Sequence, residues 1–137
     1  MASVHLDPDT LEWTSGVPFF GPGARYEGRD VVQLKILSDR RDAGGGIAWL
    51  AKYSPPPGKL LKIVAVAESD EYVLVVEGGR ATKSGRARKA GSGYSLNPQG
   101  QWHSAMIATE TVVFVVYAGA PDAVESISVV DVEEPSR

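Results

Sequence analysis

The chain alternates short apolar runs with clusters of turn-forming residues. Runs rich in β-branched side chains occupy Val31–Leu37, Ile47–Tyr53, Leu60–Val66, Glu71–Glu77, Tyr94–Leu96, Trp102–Ile107, Thr111–Tyr117 and Val124–Val132, and each reads as a strand. Between them lie the glycine-rich turn Ser38–Gly46, the Pro55-Pro56-Pro57-Gly58 stop, Gly78-Gly79, Gly91-Ser92-Gly93, Asn97-Pro98 and Gly119-Ala120-Pro121. Three consecutive imino acids cannot join a sheet interior, so the proline run separates two strands. The stretch Arg80–Lys89 reads as an exposed hairpin around Ser84-Gly85. No apolar pattern of period 3.6 persists for three turns, so the expected class is all-β, a sandwich or barrel.

Three segments follow from this pattern. Residues 1–30 form an arm with short strands, punctuated by Asp7-Pro8-Asp9 and Gly21-Pro22-Gly23 and anchored by Trp13, Phe19 and Phe20. Residues 31–132 form the barrel, and residues 133–137 form a flexible polar tail. At 137 residues the chain is expected to be one domain with a single core.

Composition narrows the function classes. The net charge of -3 is mild, which argues against a nucleic-acid or anionic-membrane partner. The basic residues Arg80, Lys83, Arg86, Arg88 and Lys89 lack interleaved aromatics that would stack bases, so they read as a solvated hairpin face. There is no cysteine, which removes disulfides and thiolate metal sites. The first residues lack the basic and apolar regions of a secretory leader, and no apolar run approaches the roughly 20 residues of a membrane span. A cytoplasmic protein is expected.

Two stretches carry a family resemblance. Gly58, Glu71 and Gly78 stand at the spacing of the leading cupin motif, G-x5-H-x-H-x4-E-x6-G, with Val64 and Val66 where that motif has histidines. Pro98-Gln99-Gly100-Gln101-Trp102-His103 matches the core of the other cupin motif, P-x-G-x-x-H. The chain therefore resembles the cupin superfamily, and its lead-in from Val31 to Gly58 is similar to small single-domain bacterial cupins of the ChrR type. The resemblance implies a single-domain double-stranded β-helix, a jelly-roll barrel. It also implies a metal site of three histidines and a glutamate, of which only Glu71 and His103 remain.

Valine has no lone pair, and catalytic metal sites usually supply three protein ligands. The expectation is accordingly no cofactor and no metal, unless Asp70, Gln101 or His5 completes a shifted site. Side chains alternate along a strand, so the expected inner lining is Lys62, Val64, Val66, Glu71, Val73, His103, Ala105 and Ile107, with Trp49 or Tyr53 contributing and Tyr94 near the mouth. Lys62 turns outward instead if a bulge shifts the register. An apolar pocket with a few convergent polar groups is the general form of a small-molecule site. Glu71 and His103 then form a carboxylate–imidazole pair able to move protons near neutral pH. This reads as metal-independent isomerase, cyclase or lyase chemistry on a carbonyl-containing substrate. The alternatives are a non-catalytic small-ligand or sensor module, and a metal-dependent, dioxygenase-like cupin with a non-standard site. Glu71 alternatively serves only as a salt-bridge partner of Lys62 or Arg88, and His103 as a satisfied core histidine. A homodimer is expected, pairing through the arm and the 47–53 strand.

Overall fold

A computed structural model describes residues 2–79 and 93–132. The strands are β1 (Thr14–Ser15), β2 (Arg25–Tyr26), β3 (Arg29–Asp30), β4 (Val32–Asp39), β5 (Ile47–Tyr53), β6 (Lys59–Val66), β7 (Glu71–Glu77), β8 (Tyr94–Asn97), β9 (Trp102–Ile107), β10 (Thr111–Tyr117) and β11 (Ala123–Asp131). The single α-helical turn among the described residues is α1 (Val17–Phe20). The expected hairpin at Arg80–Lys89 and the expected tail at 133–137 lie outside the described residues.

Two antiparallel sheets face each other. One has six strands in the order β1-β4-β5-β10-β7-β8, the other three in the order β11-β6-β9. The all-β jelly roll read from the sequence is the observed class, and no described helix is long and apolar enough to cross a membrane. Burial follows the pleat. In β7, Glu71, Val73 and Val75 are buried while Tyr72, Leu74 and Val76 are exposed on the other side.

The 47–53 strand is not an edge. It is hydrogen-bonded to β4 on one side and β10 on the other, so its backbone is fully paired within one chain and cannot add a strand from a second. The arm is likewise engaged, with Thr14 and Ser15 paired to Leu34 and Gln33.

The core between the sheets is largely aliphatic, with one aromatic end. There the Trp49 ring meets Phe19 edge-on at 5.0 Å, Tyr117 edge-on at 5.1 Å and Phe20 at 6.0 Å. Phe19 and Phe20 arrive on α1, which Pro18 starts and Gly21, at φ 82°, stops. Such edge-to-face pairs each add about 1 kcal/mol beyond burial. This cluster forms one wall of a cavity between the sheets.

Candidate active site

That cavity has a volume of about 50 Å³ and opens between the two sheets. Its walls are mostly apolar, from Phe19, Phe20, Trp49, Ile63, Val113 and Val115. Its polar groups are Glu71, Asn97, His103, Tyr117 and Asp122.

Each polar group is placed by a strand end or a pinned loop. Glu71 opens β7 and Tyr117 closes β10, and the register pairs the two directly. Asn97 is the last residue of β8, opposite Glu71. His103 lies on β9 beyond the Pro98–Gly100 turn. That turn needs glycine because Gly100 adopts φ 87°, and it is tied to Ala67, just past the end of β6, by Gly100 N to Ala67 O at 2.7 Å and Ala67 N to Gln101 O at 3.0 Å. Asp122 lies in the loop between β10 and β11. Ser69 holds that loop, donating from Oγ to Ala120 O at 2.7 Å and accepting from Gly119 N at 2.9 Å. Its neighbour Asp70 accepts from Gln99 N at 2.9 Å and, through its carbonyl, from Ala118 N at 2.9 Å.

The titratable groups converge on one imidazole. His103 Nε2 lies 2.7 Å from Asp122 Oδ2 and 3.5 Å from Glu71 Oε1. Asn97 donates to Glu71 Oε1 at 2.7 Å, and the Tyr117 hydroxyl also donates to the Glu71 carboxylate. Burial pushes the Glu71 carboxyl above its ordinary range, and the Asp122 charge pushes it further; the bonds from Asn97 and Tyr117 and the nearby His103 only partly offset this. Burial, then the Glu71 charge, holds the Tyr117 phenol well above its ordinary value, so it stays protonated. Two buried polar atoms have no hydrogen-bond partner among the described residues: Asp122 Oδ1, and Trp49 Nε1 on the aromatic wall.

The structure brings together some of the residues read from the sequence and separates others. Glu71, Val73, His103 and Ala105 line the cavity, as do Trp49 and Tyr53. Lys62, Val64 and Val66 do not: the lining of β6 is Ile63 and Ala65. The pairing explains the one-residue displacement. Ala65 lies opposite His103 and Ile63 opposite Ala105, and directly opposed residues share a face. With His103 inside, Ala65 and Ile63 are inside, while Lys62 is exposed on the reverse face. Tyr94 is 63% exposed on the outer face of the six-stranded sheet, opposite Leu74, and not at the mouth. Ile107 is buried in the core beside Leu61 and not on the cavity wall.

Sequence reading missed Asp122, Asn97 and Tyr117. Pro121-Asp122 and Asn97-Pro98 both carry ordinary turn signals, and nothing local marks their side chains as pointing inward. Tyr117 ends an apolar strand, where its ring reads as packing.

The residues present are not the three histidines and one glutamate of a cupin-type ion site. The inward β6 positions, Ile63 and Ala65, offer no lone pair. Glu71, His103 and Asp122 bring one donor atom each within 4.8 Å of one another, but they are engaged with each other and with Asn97 and Tyr117. His103 Nε2 and Asp122 Oδ2 lie at hydrogen-bond distance, 2.7 Å.

No protein-family model matches the chain, and no curated protein matches it. Solved structures do. A protein of unknown function with a cupin-like fold from Ralstonia eutropha JMP134 superposes with a TM-score of 0.61 at 14% identity, over 90% of this chain and 77% of the other. This chain has a cupin fold. An RmlC-like cupin from the same organism gives a TM-score of 0.58 at 17% identity, covering 94% and 80% of the two chains. The polyketide cyclase RemF from Streptomyces resistomycificus gives 0.50 at 20% identity, covering 98% and 87%. Within this cupin barrel the cavity lies between the sheets, with Glu71 and His103 on facing strands.

Proposed function

We propose that the cavity binds a small, largely apolar carbonyl compound and catalyses metal-independent proton transfer on it, of isomerase, cyclase or lyase type. The observation that carries this is His103 Nε2 at 2.7 Å from Asp122 Oδ2 inside an apolar pocket. With Nε2 bonded to Asp122, His103 accepts at Nδ1 a proton from the carbon next to the carbonyl. The C–H electron pair moves toward the carbonyl oxygen to give an enolate. Asp122 orients the imidazole and stabilises the imidazolium that forms. Returning the proton to a different carbon isomerises the substrate; attack of the enolate carbon on a second carbonyl closes a ring; loss of a group from the β-carbon eliminates. Glu71, with its raised affinity for protons, serves as the second acid. The similarity to a polyketide cyclase is compatible with this reading and, at 20% identity, contributes only the fold.

The test is proton exchange. Panels of hydroxy ketones, β-keto esters and β-diketones are incubated with the protein in deuterated buffer, and deuterium at the α-carbon is followed by NMR. Wild type should accelerate exchange of at least one compound, and His103→Asn and Asp122→Asn should lose that acceleration while keeping their circular dichroism. Variants as active as wild type would sink the proposal. So would a compound that copurifies and binds but never exchanges, which would make the protein a binding module.

A further inference from the structure

The cavity is smaller than the compounds proposed for it. An apolar cavity of about 150 Å³ takes benzene, and this one offers about 50 Å³. A wall must therefore move to admit a substrate. Most of the apolar wall comes from β5, β6, β7, β9, β10 and β11, strands paired within the two sheets. Phe19 and Phe20 are the exceptions. They stand on α1, a single turn with Phe20 buried on one side and Pro18 exposed on the other.

The α1 segment is seated at both ends and self-contained between them. Gly16 N donates to Val32 O at 2.8 Å, and a Cβ on Gly16 would meet that oxygen at 2.8 Å. Gly23 packs as closely on β11, where its Cβ would lie 2.9 Å from Ile127 Cβ. Between these seats the backbone bonds run within the turn. Phe19 N and Phe20 N donate to Gly16 O at 3.1 and 2.8 Å, and Gly21 N donates to Val17 O at 2.8 Å. None of these bonds reaches a barrel strand, so the turn can swing as a unit about Gly16 and Gly21 and keep them all. Residues at element ends absorb the dihedral changes of such motions.

Phe19 is the fastening. Its ring meets Trp49 edge-on at 5.0 Å and the Arg41 guanidinium at 5.5 Å. Arg41, just past β4, is fixed by a fork onto Asp39, Nε to Oδ1 at 2.9 Å and Nη2 to Oδ2 at 2.7 Å. The barrel thus presents a pre-placed cation to the ring.

We infer that α1 is a lid that lifts to admit the substrate and is latched shut by Phe19 on Trp49 and Arg41. This rests on the reading of the cavity as the substrate site. Lifting the turn withdraws two phenyl rings and adds their space to the cavity.

The motion is tested first without ligand. Relaxation dispersion of the Trp49 indole N–H, assigned with Trp49→Phe, reports exchange on the microsecond-to-millisecond scale of lids. Arg41→Gln should raise the open population about 2- to 5-fold, the worth of an exposed cation–π contact. Phe19→Leu should raise it about 5-fold, the worth of an edge-to-face pair. Arg41 lines no part of the cavity, so a fixed wall would not respond to its loss. Benzoylacetone is then mixed with the protein by stopped flow. Its binding rate should level off with concentration at the opening rate, and Arg41→Gln should raise that plateau by the same factor. Thermal melts confirm that the variants fold. Dispersion that ignores both substitutions overturns the lid, and so does a binding rate that climbs without a plateau. A lid that moves over a cavity that never takes the diketone overturns its role in admission. A plateau without deuterium exchange at the diketone's α-carbon supports the lid and counts against the acid–base reading instead.

Discussion

The one-residue displacement of β6 makes a sharp engineering prediction. If Ile63 and Ala65 face His103 and Ala105, histidines placed there enter the cavity beside His103 and Glu71. Directly opposed Cβ atoms lie about 5 Å apart, so the imidazoles of Ile63→His/Ala65→His reach a common centre with the other two. Without metal the double variant should be less stable than wild type. Ile63→His buries a polar ring, and Ala65→His overfills a cavity of about 50 Å³, a change that typically costs ~1–3 kcal/mol. Zinc at about 100 times its dissociation constant returns ~2.7 kcal/mol, a rise in melting temperature of roughly 10 °C for a chain of this size. Val64→His/Val66→His serves as control: its imidazoles lie on the reverse face and should show neither stoichiometric zinc nor a shift. The assay is a thermal melt with and without zinc, joined to elemental analysis of desalted protein. Zinc bound by the 64/66 variant and not by the 63/65 variant would refute the register argument.

Three further outcomes are expected. Because burial and Asp122 raise the Glu71 carboxyl in the folded state, the native protein binds its proton more tightly than the unfolded chain does. Glu71 therefore favours folding most below its ordinary value of 4.5, and that contribution falls as pH rises toward the folded value. Urea unfolding across pH 4–8 should show Glu71→Gln gaining stability on wild type as pH rises; a constant difference would remove the basis for Glu71 as an acid. Gly78→Ala should cost ~3 kcal/mol or more, because φ is 71° and a Cβ would meet Glu110 O at 2.1 Å, whereas Gly100→Ala, at φ 87° with nothing within 4 Å, should cost only the ~1–2 kcal/mol of left-handed strain; equal losses in urea would contradict the contact. Wild-type protein should carry no stoichiometric transition metal, and chelation should leave its melting temperature unchanged; a metal lost in Asp122→Asn would instead make Asp122 a ligand.

The fold was legible because its signals are local. Turn residues bound every long strand, and the alternation in β7 appears directly in its burial. Glu71 and His103 were legible because motif spacing marks them. The lining of β6 was not, because spacing counted from Gly58 fixes distance along the chain, whereas the face presented depends on pairing with β9, and slipping by one residue inverts every side chain. Asp122 was illegible for another reason. Its position depends on a loop held by Ser69, 50 residues from Gly119 in sequence, and such a contact leaves no periodic trace.

The Ser69–Asp70 turn holds both loops that carry the site, the Pro98 turn through Gln99 N and the Asp122 loop through Gly119 N and Ala118 N. Glu71 follows it directly. Asp122, Glu71 and the approach to His103 thus share one mechanical support and belong to one unit of local unfolding. The amides of Gln99, Ala118 and Gly119 should exchange with solvent together, at a single opening free energy, and Ser69→Ala should lower the protection of all three by a similar factor.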